Sequence, residues 1–421
     1  MKRHRLQLFA WATLLLGWVG YALAGGWVSH LVAARFGGVL LRVGQGKFSD
    51  APVFVQGRLR ELLWLATLAL LWVVAHRALD RLYWLRGGQG RWRWVAHGVA
   101  GFVLLNVWIG FAANTALFWG VLGAGGGVQN YMQFQFKRVM AGEVRAPMRA
   151  VLVGSSQTRA QIDEGLLNER LGTNLWTTEL HFPGSKASDL LLIEPQLARA
   201  RAQFVVCYFT EGYLYTGSHG EVPPNFLGFG QLPDAWRRGA LKHLSSSEVG
   251  YGLLGDALPL FRCREVVSQR LLGAPAAQLK QAQYDAALAV DLDARARDSA
   301  RSFRMDAETD FQKRAFEDFV IRCEQAERKV VLLTGGYNPV LTRQMNPSLR
   351  VDMIKFLDGI ALRHANVVLV AESTLPVQTA ADYDDLNHVN VPMQQRFTGW
   401  LATLMDGLMV ERAAHSDVAP R

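Results

Sequence analysis

The first third of the chain is dominated by long apolar stretches without Asp, Glu, Lys or Arg. One such stretch covers residues 6–34 and another covers residues 94–136, while a shorter apolar segment covers residues 62–76. A helix of about 20 apolar residues is long enough to cross the hydrocarbon core of a bilayer. The pattern therefore predicts three membrane-spanning helices within residues 1–125, the third of them over residues 95–119.

Positive charge is concentrated in the same part of the chain. Residues 1–150 hold 17 Lys and Arg against four Asp and Glu, a balance of +13, whereas the whole chain of 421 residues has a net charge of +9. The rest of the chain is therefore slightly acidic. A nucleic-acid-binding protein would carry its basic residues on a polar folded surface, but here they punctuate apolar stretches. The distribution of charge therefore indicates that the chain interacts with a lipid bilayer and does not bind nucleic acid.

Basic residues also predict an orientation for the three spans. Five arginines and a single Asp lie at residues 77–93, between the second and third spans, and three basic residues lie at residues 2–5. Short loops rich in Arg and Lys stay on the cytoplasmic side of the membrane. Three spans then leave the N-terminus in the cytoplasm and everything after residue 125 outside it. Without the second span, the large domain would be cytoplasmic.

The first apolar stretch has a second interpretation, which is a cleaved signal peptide. Ala22-Leu23-Ala24 has the small-residue pattern of a cleavage site. The apolar character nevertheless continues beyond it, over residues 27–32. We therefore expect a retained anchor.

From about residue 149 onward, short apolar runs alternate with amphipathic segments. Runs rich in β-branched residues predict strands, and apolar residues at helical spacing predict helices. Strands that alternate with helices indicate an α/β sandwich around a mostly parallel sheet. The strands are expected at residues 150–153, 174–180, 204–209, 329–334 and 367–370, and the helices at residues 163–171, 186–201, 306–328, 349–365 and 391–409.

These patterns divide the chain into several regions. Residues 216–300 form an insert without a clean period, which is either a structural cap or a groove for a substrate or partner. The expected regions are a membrane region at residues 1–125, a linker at 126–148, the α/β domain at 149–410 and a tail at 411–421.

The cysteines do not suggest a metal site. Cys207, Cys263 and Cys323 are far apart and lack the spacing of metal ligands. An odd number of cysteines cannot pair completely. We expect them to be small buried residues or to form one disulfide bond, and we expect no metal and no cofactor.

The residues that suggest chemistry lie in the first and last loops of the predicted sheet. In such sheets, functional residues follow the carboxyl ends of the strands. The first predicted strand ends in Gly154-Ser155-Ser156, which leads into a helix, and the last loop contains Asp385 and His388. An Asp three residues before a His can orient the imidazole and stabilise its protonated form. The order Ser, Asp, His therefore predicts a serine nucleophile with a histidine base.

Together these motifs resemble those of the SGNH (GDSL-like) esterase and acyltransferase superfamily. The third residue of Gly-Ser-Ser is the nucleophile in that family, which corresponds to Ser156, and the Asp-x-x-His motif corresponds to Asp385 and His388. The resemblance implies a flavodoxin-like three-layer sandwich and an acyl-serine intermediate. It covers residues 149–176 and 330–405 well, and the stretch between them only by pattern.

The resemblance also implies an oxyanion hole, for which this chain has an incomplete set of residues. The family uses the N–H of the nucleophile, a Gly N–H after the second strand and an Asn side chain after the third strand. Ser156 and Gly184 correspond to the first two donors. After the third strand the chain reads Thr210-Glu211-Gly212-Tyr213, without an Asn, so Thr210 and Asn338 are the candidates for the third donor. Asn338 has a competing interpretation as part of a Gly-rich turn before Pro.

Within the superfamily, the chain looks most like the membrane-anchored group that acts in D-alanyl-lipoteichoic acid transfer and alginate O-acetylation. This resemblance implies a multi-pass protein of the bacterial inner membrane with a periplasmic catalytic domain. It also implies a membrane-bound O-acyltransferase or a polysaccharide synthase as partner. The preferred function is acetyl transfer to a cell-envelope or secreted polysaccharide. A carbohydrate esterase or deacetylase of the same fold and a non-catalytic assembly factor of a polysaccharide synthesis or acylation complex remain the alternatives.

Overall fold

The computed structural model describes most of the chain. Its residues fall into two compact units, one formed by residues 1–128 and 253–273 and the other by residues 129–252 and 274–421. The described residues are 51–85, 91–113, 115, 146–181, 183–215, 227–230, 232–237, 241, 244–263 and 291–416, together with residues 12, 15, 16 and 19.

The first unit contains two long apolar helices, α1 (Ala51–Leu85) and α2 (Arg91–Ala112). Within them, Arg58–Ala78 and Val95–Ala112 are long and apolar enough to cross a membrane. They coincide with the second and third of the predicted spans. The first predicted span, residues 6–34, lies almost entirely outside the described residues.

Polar side chains join α1 to α2. The Nδ1 atoms of His76 and His97 lie 3.1 Å apart, and the two rings stack with their centroids 5.4 Å apart. The Nε2 atom of His97 lies 2.9 Å from a carboxylate oxygen of Asp80. These three side chains therefore form a polar contact between the two helices.

A segment of the predicted insert also belongs to the first unit. The Asn106 side chain is buried on α2, and its Oδ1 atom accepts a hydrogen bond of 3.0 Å from the Leu260 backbone N–H. Pro259 packs so closely against Gly110 that a Cβ atom there would lie 3.0 Å from the proline Cγ. Residues 253–273 are therefore part of the unit that contains the apolar helices.

The second unit is built around a parallel sheet of five strands. Their order is β2-β1-β3-β4-β5, and every neighbouring pair is parallel. Each strand overlaps the segment predicted for it, so the expected α/β fold with a mostly parallel sheet is confirmed. The strands are β1 (Met148–Gly154), β2 (Leu175–His181), β3 (Phe204–Phe209), β4 (Lys329–Thr334) and β5 (Val367–Val370).

Several helices begin at side chains that cap their first backbone N–H groups. Asp163 accepts a hydrogen bond of 3.0 Å from the N–H of Leu166, and Asp306 accepts one of 2.9 Å from the N–H of Glu308. The helices after β1 are α3 (Ser156–Gln161), α4 (Glu164–Leu171), α5 (Ala187–Ala200), α6 (Gly212–Tyr215), α7 (Leu232–Arg237), α8 (Ser246–Ala257), α9 (Leu292–Ala300), α10 (Ala307–Gln325), α11 (Pro339–Thr342), α12 (Pro347–Arg363) and α13 (Val391–Ser416).

Helices cover both faces of the sheet. On one face, α4 and α13 pack on apolar side chains that include Leu152, Val206 and Leu333. On the other face, the ring of Phe209 in β3 packs edge-on against Phe316 of α10, with centroids 4.6 Å apart. The strands are therefore buried on both sides, as is typical of parallel sheets.

The strand order determines where a site can form. The chain runs from β1 to β2 on one side and then crosses to β3 on the other side of β1. Ligands of such sheets bind beyond the carboxyl ends of the strands, at the point where the order reverses. The loops after β1, β2 and β3 meet at this edge.

All three cysteines are free and buried. Cys207 lies in β3 and Cys323 in α10, whereas Cys263 belongs to the first unit. The expectation of small buried residues is confirmed, and the alternative of one disulfide bond is not.

Candidate active site

The turn after β1 presents a serine at the start of a helix. Gly154 has a φ of 147°, and a Cβ atom there would collide with the side chains of Thr158 and Tyr213, so glycine is required. The Ser155 side chain caps α3 by accepting a hydrogen bond of 3.3 Å from the N–H of Gln157. Ser155 is thus occupied with the backbone, while Ser156 is the first residue of α3.

Ser156 lies beside the predicted base and its carboxylate partner. The Nε2 atom of His388 is 3.0 Å from the Ser156 Oγ atom, and the Nδ1 atom is 2.8 Å from the Oδ2 atom of Asp385. An ionised carboxylate only accepts hydrogen bonds, so it favours the tautomer with a proton on Nδ1. Nε2 is then the acceptor for the serine hydroxyl, which is the arrangement of a general base and its nucleophile.

The loop that carries Asp385 is organised by the same carboxylate. Its Oδ1 atom accepts the backbone N–H groups of Asn387 at 2.7 Å and His388 at 2.8 Å. Burial favours a higher pKa for Asp385, but the hydrogen bonds from the His388 ring and from these N–H groups outweigh it and lower the pKa to about 2. The carboxyl therefore stays ionised at neutral pH, as an orienting group must.

The loop after β2 carries Gly184, the expected oxyanion donor. Gly184 has a φ of 70°, in the left-handed region that favours glycine. The hydroxyl of Ser185 donates to the carbonyl of Gly154 at 3.0 Å, which fastens this loop to the turn before the nucleophile.

A buried ion pair holds the same loop from its other side. The Lys186 side chain is 1% exposed, and its Nζ atom lies 2.6 Å from the Oε1 atom of Glu308 on α10. A lysine is rarely buried unless its charge is paired. This contact could not be predicted from local sequence patterns, because 122 positions separate the two residues.

Thr210 has hydrogen-bond partners in α3 and in the loop after β4. Its hydroxyl is buried, donates to the Oε1 atom of Gln157 at 2.9 Å and accepts from the Tyr337 hydroxyl at 3.2 Å. Because a hydroxyl has a single proton, the Thr210 proton is already used by Gln157. The geometry does not support Thr210 as the third donor.

Asn338 likewise has other partners. Its Nδ2 atom donates to the backbone carbonyl of Asp385 at 3.0 Å, and its Oδ1 atom accepts the N–H of Val340 at the start of α11. Its own N–H donates to the carbonyl of Leu386 at 3.1 Å. Asn338 is therefore a brace for the loop of the Asp-x-x-His motif, and its amide is directed at that loop.

The loop after β3 contains a buried acid that sequence reasoning missed. Burial raises the pKa of Glu211 even though the nearby Arg350 opposes that shift. An Arg350 guanidinium nitrogen lies 3.3 Å from Glu211 and also donates to the carbonyl of Gly335, after β4. The pair therefore ties the loops after β3 and β4 together, across 139 positions of sequence.

Taken together, the site can perform nucleophilic chemistry at Ser156. The His388 side chain is 34% exposed, whereas that of Asp385 is 7% exposed, so the base faces solvent and its orienting group is covered. Among the described residues, no group of three or more His, Cys, Asp or Glu side chains could hold a metal ion. Comparisons of the chain with protein-family models, curated proteins and solved structures found no match.

Proposed function

We propose that this protein is a membrane-anchored, serine-dependent O-acyltransferase that moves an acetyl-like group to a cell-envelope or secreted polysaccharide. The observation that carries the proposal is the continuous contact from Asp385 through His388 to Ser156. The three residues stand at the carboxyl edge of a parallel sheet whose order is that of flavodoxin-like folds. This is consistent with the resemblance to the SGNH superfamily.

The first half of the reaction would form an acyl-enzyme. The Ser156 oxygen attacks the carbonyl carbon of an acyl ester, and its proton passes to Nε2 of His388. The carbonyl π electrons move to the oxygen, which becomes an oxyanion. When the oxyanion collapses, the bond to the leaving oxygen breaks and His388 returns the proton to that oxygen.

The second half would pass the acyl group to a sugar. A sugar hydroxyl attacks the acyl carbon as its proton moves to His388, and the Ser156 oxygen then leaves with that proton. Water in place of the sugar would give hydrolysis, so the same site supports a carbohydrate esterase as the close alternative. The backbone N–H groups of Ser156 and Gly184 would stabilise the oxyanion in both halves.

The membrane setting supports the choice of substrate. The two candidate spanning helices favour an anchored protein, and the arginines at residues 77–93 favour a cytoplasmic loop between them. With the predicted first span, the α/β domain would lie on the periplasmic side of a bacterial inner membrane, where envelope polysaccharides are accessible. A membrane-bound O-acyltransferase that supplies acyl groups, or a polysaccharide synthase, would be the partner.

The absence of an Asn from the loop after β3 favours a second candidate, a non-catalytic assembly factor of a polysaccharide synthesis or acylation complex. This candidate predicts that the membrane region matters and that Ser156 does not. Replacement of Ser156 by Ala in cells separates the two functions. Loss of polysaccharide acylation supports the enzyme, and full acylation supports the assembly factor.

The direct test uses the full chain in detergent with an activated acetyl ester. We expect one acetyl group on Ser156, found by intact mass and peptide mapping, in the wild type and in S155A. We expect none in S156A and far less in H388A. Ser155 is the matched control, since it is the adjacent hydroxyl but caps α3. A folded wild-type protein without an adduct would contradict the proposal.

The fate of the adduct distinguishes transfer from hydrolysis. If the protein is a transferase, an added acetylatable oligosaccharide speeds the loss of the acetyl group from Ser156, and the group appears on the sugar. If the protein is an esterase, the loss proceeds at the same rate in water alone.

A further inference from the structure

We infer that the side-chain amide of Gln157 is the third oxyanion donor of this site. The inference rests on the proposed function and names a residue that the sequence motifs did not suggest. Gln157 directly follows Ser156 and is only 7% exposed. Its amide contacts Thr210 after β3 and Gly336 after β4, so it lies at the carboxyl edge of the sheet on the β3 side of the nucleophile.

A chain of hydrogen bonds fixes which end of this amide faces Thr210. The N–H of Gly212 can only donate, and it donates to the Tyr337 hydroxyl at 3.0 Å. Tyr337 therefore gives its own proton to Thr210 at 3.2 Å, and Thr210 gives its proton to Gln157 at 2.9 Å. The atom of Gln157 that accepts this proton must be the carbonyl oxygen, because an amide nitrogen does not accept. The NH₂ group is then directed away from Thr210.

That NH₂ group has spare capacity as a donor. Its one partner among the described residues is the Gly336 carbonyl at 3.4 Å, which is long for an N–H···O bond, where about 2.9–3.0 Å is usual. Its second proton has no acceptor in that part of the chain. A buried donor without a full partner is unfavourable in a resting protein, and this one would be satisfied by the oxyanion of the tetrahedral intermediate that forms on Ser156.

The strand order accounts for the fit. Ser156 follows β1, Gly184 follows β2, and the Gln157 amide is fastened to the residue after β3, while β2, β1 and β3 are neighbours in that order. Donors would therefore approach the oxyanion from three adjacent strands. Gln157 forms no bond during the reaction; it donates one hydrogen bond to the negative oxygen while that charge exists.

The test compares acylation rates of full-length variants in detergent with an activated acetyl ester. Q157M removes the amide at nearly constant volume. Q157E keeps an acceptor for Thr210 but removes the donor. Q161M is the matched control, since Gln161 is a buried glutamine of the same helix whose Nε2 atom has no hydrogen-bond partner among the described residues. T210V removes the hydroxyl that orients the Gln157 amide but keeps the amide itself.

We expect Q157M and Q157E to acylate Ser156 about 100-fold more slowly or worse, the effect of removing one oxyanion donor. Q161M should stay within about threefold of the wild type, and T210V should lose less than tenfold. The apparent melting temperature should separate these effects from misfolding. If Q157M does not fold, the rate of Q157E tests the inference in its place.

Two results would overturn the inference while leaving the proposed function intact. One is a Q157M protein that acylates as fast as Q161M. The other is a Q157E protein that acylates as fast as Q161M while Q157M is slow, which would show that the acceptor for Thr210 matters and the donor does not, and would make Gln157 a positioning residue of the loop network. A wild-type protein that is not acylated at Ser156 would instead overturn the proposed function, and the inference with it.

Discussion

The Nε2 atom of His388 lies 3.0 Å from the Oγ atom of Ser156, although 232 positions of sequence separate the two residues. They meet because Ser156 follows the interior strand β1 and His388 precedes the last helix, α13, which packs across the same sheet. Asp385 stands behind the imidazole at 2.8 Å. Both contacts of His388 have hydrogen-bond length, as expected for a base that is already positioned beside its nucleophile.

Replacement of Asp385 by Asn should lower the rate of Ser156 acylation by about 10³–10⁴-fold, because an amide favours the wrong tautomer of His388. Asp384→Asn is the matched control, since the adjacent Asp is exposed and only its backbone N–H contacts the loop. Burst kinetics with an activated ester measures both variants. Equal rates for D385N and D384N would contradict the role of Asp385.

The same carboxylate should make the folded state sensitive to acid. The pKa of Asp385 is about 2 in the folded protein, against an ordinary value of 3.8, so the ionised form stabilises the fold. The contribution, about 2 kcal/mol, is complete above pH 4 and is lost as the pH falls through 2. Urea unfolding should be measured for the wild type and D385N at pH 7 and at pH 3. The difference in unfolding free energy between the two proteins should be about half as large at pH 3 as at pH 7. A difference that does not change with pH would contradict this assignment.

Asn338→Ala should impair both stability and chemistry, whereas Asn346→Ala should impair stability alone. Both residues cap a helix that begins with Pro, and loss of such a cap costs about 1 kcal/mol. Only Asn338 also holds the carbonyl of Asp385. Melting temperature and acylation rate, measured on both variants, should separate the roles: we expect about a tenfold loss of rate in N338A only.

Lys186→Met should destabilise the loop of Gly184, because it removes the buried cation that pairs with the half-buried Glu308. Breaking such a pair costs about 3 kcal/mol, and removing both charges should cost less than removing one. The double variant K186M/E308Q should therefore be more stable than K186M. We also expect K186M to acylate Ser156 more slowly than the wild type, and the double variant to regain part of that rate. Additive losses in melting temperature would show that the two charges do not interact.

Asn106→Leu should loosen the contact between α2 and the segment around Leu260, since the Leu260 N–H would lose its acceptor. A hydrogen bond of this kind contributes about 1 kcal/mol to stability. Hydrogen exchange of residues 253–263 should become faster in N106L. It should not change in V107L, because the neighbouring Val107 is 57% exposed and takes no part in that contact. Exchange at the wild-type rate in N106L would contradict the contact.

The five strands of the sheet could be predicted because each is a short run of apolar residues with few breaks. The runs at β3, β4 and β5 coincide with the predicted segments residue for residue. The bounds of helix α3 were not predicted, since its six polar or small residues carry no apolar period. It begins where it does because Gly154 turns the chain and Ser155 caps the helix.

The site could be predicted only where a motif is local. Ser156 adjoins a glycine turn, and Asp385 and His388 are three positions apart, so their roles follow from short patterns. The partners of Gln157, Thr210 and Asn338 depend on loops that meet only after the sheet has formed. No short pattern in a single sequence predicts such long-range contacts.

The burial of the three cysteines has a practical consequence for labelling. Burial raises the pKa of the Cys207 and Cys323 thiols to about 12 and that of the Cys263 thiol to about 11. Thiolate, the form that reacts with maleimides, is therefore scarce at neutral pH. A cysteine introduced at an exposed position, such as Leu362 at the end of α12, should take up a fluorophore or spin label selectively in the otherwise native chain.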